Sequence, residues 1–368
     1  MKPLRRLGIG YIATISGIEF TNIALYFVIG SYYGLFGIIL IAILMLPIIY
    51  LQEFITYLSI KKKSNMYSLM KNYAHRVAPI YYVSIYVSSS LIAFINLYVL
   101  SIIYSNIFGG SWLGYILLLI ISLYLIGRRN SYVSRFEKML VYLSVFLTLY
   151  LVSAARIIVI NGFSIPFMGS RELTPYVLIA LFGALASPYS LVLQEDSRDS
   201  DDLLLGYLYG VLIGSSIAIT GYFIYSSSGG FSILSLLRAM NNDMLTMYLI
   251  IAGLSATVFL ATLSVMRTND IIFRRLSSSR NHGVHGYMDL FTFIIFSIIL
   301  SLYSRFSNYT VINAVIDMSF IVGVFTGLNI VLLLALYAKC EKEKNLDWFL
   351  NFAGLSSITA VFILALFF

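Results

Sequence analysis

Apolar stretches long enough to cross a bilayer recur from one end of this chain to the other, and they limit its fold more than any other feature. Each runs to about 20 residues, the length of helix that spans a hydrocarbon core. Only 11% of the residues are charged, against about 25% in an ordinary soluble domain. Inside a bilayer every backbone polar group must be satisfied within the protein, which leaves helices as the natural spanning element for runs of this kind. The sequence therefore predicts an all-α polytopic membrane protein with about eleven transmembrane helices in a single domain covering 1–368. The expected spans are Gly8–Gly30, Gly34–Ile60, Ile80–Tyr104, Trp112–Leu125, Met139–Ile160, Pro175–Leu193, Leu203–Ser226, Met244–Met266, Tyr287–Tyr303, Thr310–Ala338 and Phe349–Phe368.

Charge placement orients these spans. A net charge of +8 would suggest nucleic acid if it formed a patch, but the Lys and Arg residues sit in the loops between spans. With the N-terminus in the cytoplasm, the cytoplasmic side receives all but four of the 24 basic residues, Lys61, Lys62 and Lys63 among them. The exceptions are Arg156, Arg171, Arg238 and Arg305. That asymmetry is the positive-inside pattern, and it predicts a multi-pass protein of the cell membrane with its N-terminus inside and its C-terminus outside. Arg5-Arg6 leads directly into a full-length span without a small-residue cleavage site, so no cleavable leader is expected. Cys340 is the only cysteine, which excludes an intramolecular disulfide and a cysteine-based metal site.

Two spans depart from the uniform pattern. The first carries Glu19 and Asn22 in Gly17-Ile-Glu-Phe-Thr-Asn-Ile-Ala-Leu-Tyr26, with no basic residue nearby. A carboxylate at membrane depth costs at least a few kcal/mol unless something offsets it, and is a functional-site hypothesis by default. Three residues apart, Glu19 and Asn22 direct two oxygen ligands at one volume. This suggests a cation site in a broken helix; a protonated Glu19 hydrogen-bonded to a neighbouring helix is the alternative. The sixth span places Pro188 in mid-membrane, where proline removes a donor and breaks the helix. Bare carbonyls at that depth are tolerated where they line a cavity. Span one starts inside and span six outside, so the chain divides into a 5+5 inverted repeat, approximately 8–160 and 175–338, with an extra helix at approximately 349–368. In secondary transporters of this design the ligand lies at the midplane between the breaks.

At these residues the chain resembles the Nramp family of divalent-metal transporters, a branch of the LeuT-like fold. Glu19-Phe-Thr-Asn22-Ile-Ala24 stands where the family has Asp-Pro-Gly-Asn-Ile-Ala. Gly183-Ala-Leu-Ala-Ser187-Pro188-Tyr189-Ser190 stands where it has Gly-Ala-x-x-Met-Pro-His-Asn. Gly30, Gly34 and Gln52-Glu53 match in spacing. The resemblance implies that Glu19 and Asn22 coordinate the ion through side-chain oxygens, that Ser16 and Ala184 add backbone carbonyls, and that Ser187 replaces a methionine. Without the thioether the ligand set is all oxygen, which suits Mg²⁺, Mn²⁺ or Ca²⁺ over softer ions. Mg²⁺ or Mn²⁺ is expected, with Mg²⁺ keeping several of its waters. Tyr189 occupies the place of a family histidine, and span three holds no acid or base, so uncoupled, gradient-driven uptake is slightly favoured over proton symport.

Asp317, Asn313, Ser319 and Asn329 form a second group of polar residues at membrane depth, in span ten, where the family places a further ligand; helix–helix hydrogen bonding is the alternative. His282 and His285 lack further ligands around them, and Glu53 is expected at the cytoplasmic interface. No nucleophile–base pair or phosphate-cradling loop appears, so an enzyme is not expected. The metal ion is substrate rather than cofactor, the other partner is the lipid bilayer, and neither nucleic acid nor an obligate protein partner is implied. A transporter of an amino acid or other small organic solute, or a non-transporting subunit of the same fold, are the competing classes.

Overall fold

Helix after helix is what the apolar runs build. The computed structural model describes residues 20–127, 145–161, 165–167, 174–186, 188–194, 201–228, 244–277, 289, 291–299, 301, 311–340 and 346–367. Among these the secondary structure is entirely helical. The elements are α1 (Phe20–Lys62), α2 (Met66–Tyr73), α3 (Ala78–Phe108), α4 (Trp112–Gly127), α5 (Leu149–Asn161, entered through a 3₁₀ turn at Val145–Thr148), α6 (Pro175–Ala186), α7 (Pro188–Gln194), α8 (Asp201–Ser228), α9 (Met244–Ser277), α10 (Val311–Cys340) and α11 (Leu346–Phe367). Residues 291–299 are also helical.

The first two expected spans join into α1, which folds back on itself at Gly34 (φ 59°, ψ −139°). A positive φ is easy only for glycine. The turn deprives the next amides of carbonyls four residues back, as at any helix start. Leu35 and Phe36 instead donate to the carbonyls of Pro166 and Phe167, at 3.0 and 2.9 Å, and the Phe36 and Phe167 rings pack at 6.2 Å. Further along, α9 continues to Ser277, well past the expected Met266. The added turns carry Arg267, Arg274 and Arg275, and a polar helix can outrun the hydrocarbon because water takes over the solvation of its side chains.

Small residues let the helices approach closely, the means of association available where lipid is as apolar as the core. A Cβ at Gly30 would lie 1.9 Å from the Ala218 carbonyl oxygen of α8, and Gly221 and Gly214 receive Phe27 and Tyr26 of α1. Gly183 of α6 and Gly323 of α10 meet backbone to backbone: a Cβ on Gly183 would sit 2.2 Å from the Gly323 nitrogen. Helix α3 packs against α4, α9 and α10, and α11 lies outside α10 and α6. Basic residues gather at one end of the bundle. There Lys62 Nζ donates to the Cys340 carbonyl at 3.1 Å, completing the end of α10, and Arg275 donates to the Tyr82 hydroxyl at 3.2 Å. Gly34 marks the opposite end.

The outside is greasy and the inside partly polar. Leu46, Leu118, Val152, Val159, Leu364 and Phe367 are exposed, whereas Asn22, Gln52, Asn96, Asn269, Asp289 and Asn329 are buried. That inverts the arrangement of a soluble protein. Five described helices are long and apolar enough to cross a membrane: Thr21–Lys62, Ala78–Phe108, Tyr248–Leu276, Asn313–Cys340 and Leu346–Phe367. Trp112–Leu125, Pro175–Ala186 and Tyr207–Phe223 are shorter apolar helices. The molecule is a multi-pass membrane protein.

Candidate functional site

Two points in the bundle interior bear on the expected site: the first described turn of α1, and Pro188. In the first described turn of α1, the Thr21 amide donates to Asn96 Oδ1 of α3 at 2.9 Å, and the Thr21 hydroxyl donates to the same oxygen at 2.9 Å. A backbone amide inside a continuous helix serves the carbonyl four residues before it; one at a helix start must find another acceptor. Asn96 is that acceptor, supplied from the middle of a fully apolar stretch of α3. Asn22, the next residue, is buried in the same turn.

Helix α6 is described to Ala186 and α7 from Pro188, with Ser187 between them outside the described residues. Proline has no N–H for the carbonyl four positions earlier, which here belongs to Ala184. Beyond Pro188, the Tyr189 carbonyl accepts from Thr268 Oγ1 of α9 at 3.4 Å. Ser190 Oγ accepts from Gln52 Nε2 of α1 at 2.7 Å, so the second half of α1 is bonded to α7. Helix α1 packs against both α6 and α7.

Around this junction lie neutral oxygens. Among the described residues, the Tyr26 hydroxyl and Gln52 Oε1 are buried without a hydrogen-bond partner. The Tyr26 ring lies over Gly214, seven residues from Tyr207 on the same face of α8, and Tyr207 in turn faces Tyr26 and Gln52. Hydroxyl and amide groups thus come together where α1 packs on α8. Among the described residues no three His, Cys, Asp or Glu side chains come together to hold a metal.

The expected site residues fall as follows. Glu19, Ser16 and Ser187 lie outside the described residues. Asn22, Ala184, Pro188 and Tyr189 are all buried. The span-ten residues are spread along α10 rather than gathered. Asn313 is exposed, Asp317 accepts a hydrogen bond from Tyr176 at the Gly34 end, and Ser319 is buried with its carbonyl against Gly183. Asn329, nearer the other end, accepts from Ser84 of α3. Sequence reasoning passed over Asn96, although a lone amide in the centre of an apolar run was a visible signal. The convergence of Tyr26, Gln52 and Tyr207 had no such signal, because it depends on how α1 and α8 pack.

No family model matches the chain, and no curated protein matches it. Solved structures do. A manganese transporter of Eremococcus coleocola, in complex with an aromatic bis-isothiourea substituted compound, aligns over 98% of this chain and 85% of its own, with a TM-score of 0.67 and 14% identity. MhsT in complex with L-phenylalanine aligns over 98% of each chain, with a TM-score of 0.66 and 15% identity. The fold of this chain is the fold of these LeuT-like transporters.

Proposed function

We propose that the protein is a secondary transporter that moves a divalent metal cation across the membrane by alternating access, with Mg²⁺ or Mn²⁺ as substrate. What supports this reading is Pro188, which leaves the Ala184 carbonyl without its helical donor inside the bundle, on a fold shared with a manganese transporter. In this reading Glu19 supplies the charge. Asn22 and Ser187 supply neutral oxygens, and the carbonyls of Ser16 and Ala184 complete an all-oxygen set suited to hard cations. Residues 8–160 and 175–338 form the inverted repeats, with the N-terminus cytoplasmic and the C-terminus outside, and movement of one repeat against the other exposes the site to each side in turn.

The likeness to an L-phenylalanine complex makes an amino acid the second reading. A substrate carboxylate on this fold is held by free amides at a half-helix start. Here the Thr21 amide is already given to Asn96, and Glu19 would repel a second carboxylate, so the metal reading is the better supported. Uptake into liposomes decides between them. Mg²⁺ or Mn²⁺ flux that disappears in Glu19→Ala is expected; amino-acid flux with no divalent flux would overturn the assignment.

A further inference from the structure

The segment between α1 and α3 gathers positive charge at the basic end of the bundle. From Phe54 to Phe136 the chain holds no Asp or Glu, whereas Lys61, Lys62, Lys63, Lys71, His75 and Arg76 all fall within 61–76. The second half of α1 runs from Gly34 to Lys62, about 42 Å of helix. A bilayer with its headgroup layers is about 40–45 Å thick. A helix that enters at one interface near Gly34 therefore delivers its last turn to the headgroups of the other.

Helix α1 stops there in an unusual way. The Lys63 amide donates to the Ile60 carbonyl and the Ser64 amide to the Ser59 carbonyl, both at 3.2 Å. These are the paired bonds of a Schellman cap, in which the residue after the helix turns left-handed and is usually glycine. Here it is Lys63, with φ 49°, the one non-glycine residue of positive φ among the described residues. A Cβ makes that conformation costly. Glycine would make the same turn without strain; what it lacks is the ammonium group. Asn65 then caps α2, accepting from the Ser68 amide at 2.9 Å. Met66, Leu69 and Met70 are buried, and α2 packs against α10 and α3. Lys63, Lys71, His75 and Arg76 are left exposed, with Lys71 over the Tyr67 ring at 6.0 Å. Apolar side chains are exposed within a turn or two of these cations: Ile60 at the end of α1, Ile80 and Val83 at the start of α3. A free phosphate or a nucleic acid engages the cations alone. An anionic phospholipid engages both, its phosphate on the cations and its acyl chains along the helices.

We propose that Lys63, Lys71 and Arg76 form a docking surface for anionic phospholipid headgroups, and that Lys63 is kept in its left-handed turn for that contact. The surface is separate from the substrate site and serves whichever substrate the transporter carries. The test uses the full chain in detergent micelles carrying phosphatidylglycerol or phosphatidylcholine at equal mole fraction. Melting temperature is the readout, since a ligand that binds only the folded state raises it. Phosphatidylglycerol is expected to raise Tm by several degrees over phosphatidylcholine in the wild type and in Lys71→Arg, and to have no such effect when Lys63→Gln, Lys71→Gln and Arg76→Gln are combined. Lys63→Gly separates strain from binding. Without phosphatidylglycerol it should melt above the wild type, yet need about fivefold more of the lipid for its half-maximal shift. Equal Tm in the two lipids, or a lipid response unchanged in the triple variant or in Lys63→Gly, would overturn the surface. So would inorganic phosphate or a short RNA that reproduces the phosphatidylglycerol shift.

Discussion

Asn96 and Tyr26 show how opposite hydrogen-bond situations lead to opposite expectations. Asn96 Oδ1 is the acceptor for both the amide and the hydroxyl of Thr21. Asn96→Ala strands a buried backbone donor, which costs about 1–3 kcal/mol, and should lower the melting temperature of the purified protein and impair transport. The Tyr26 hydroxyl has no partner among the described residues, so Tyr26→Phe removes an unsatisfied polar atom and should leave Tm unchanged or slightly higher. If that hydroxyl serves the passing ion, the same substitution lowers maximal divalent flux. Parallel thermal melts and liposome uptake on the two variants check both expectations, and wild-type flux in Tyr26→Phe would remove the hydroxyl from the ion's path.

At the scale of helices, glycine separates contacts that matter from those that do not. The α6–α10 contact has no room for a side chain, because a Cβ at Gly183 would meet Gly323 backbone at 2.2 Å. Backbone cannot turn aside as a flexible side chain can, so Gly183→Val should force α6 away from α10 and abolish folded, monodisperse yield on size-exclusion chromatography. Gly114 of α4 has open space around its Cβ position, and Gly114→Ala should be neutral or stabilise by about 0.5–1 kcal/mol through reduced backbone entropy loss. Only a thermal melt showing Gly114→Ala clearly destabilised would contradict that packing.

For the whole molecule, orientation and coupling are the quantities to measure. In a Cys340→Ser background, Asn106→Cys at the Gly34 end of α3 should react with an impermeant thiol reagent applied to intact cells. Lys63→Cys at the basic end should react only after permeabilisation, and reversed labelling would invert the topology. Uncoupled uptake predicts that divalent entry into liposomes leaves internal pH steady; acidification of the lumen in step with metal entry would establish proton symport instead.

Hydropathy and loop charge were sufficient to predict a helical membrane protein, because a bilayer imposes its thickness and its intolerance of charge directly on local sequence. The grouping of Asp317, Asn313, Ser319 and Asn329 was not legible in the same way: one helix carries them all, yet its neighbours differ from turn to turn, and Asp317, Ser319 and Asn329 meet different partners. Asn96 reaching Thr21, Gln52 reaching Ser190, and Asn269 reaching Asp289 were settled by tertiary packing alone. Each joins residues distant in the chain through close helix contacts. Which polar groups end up facing one another depends on the rotation and depth of neighbouring helices, and no single helix encodes that.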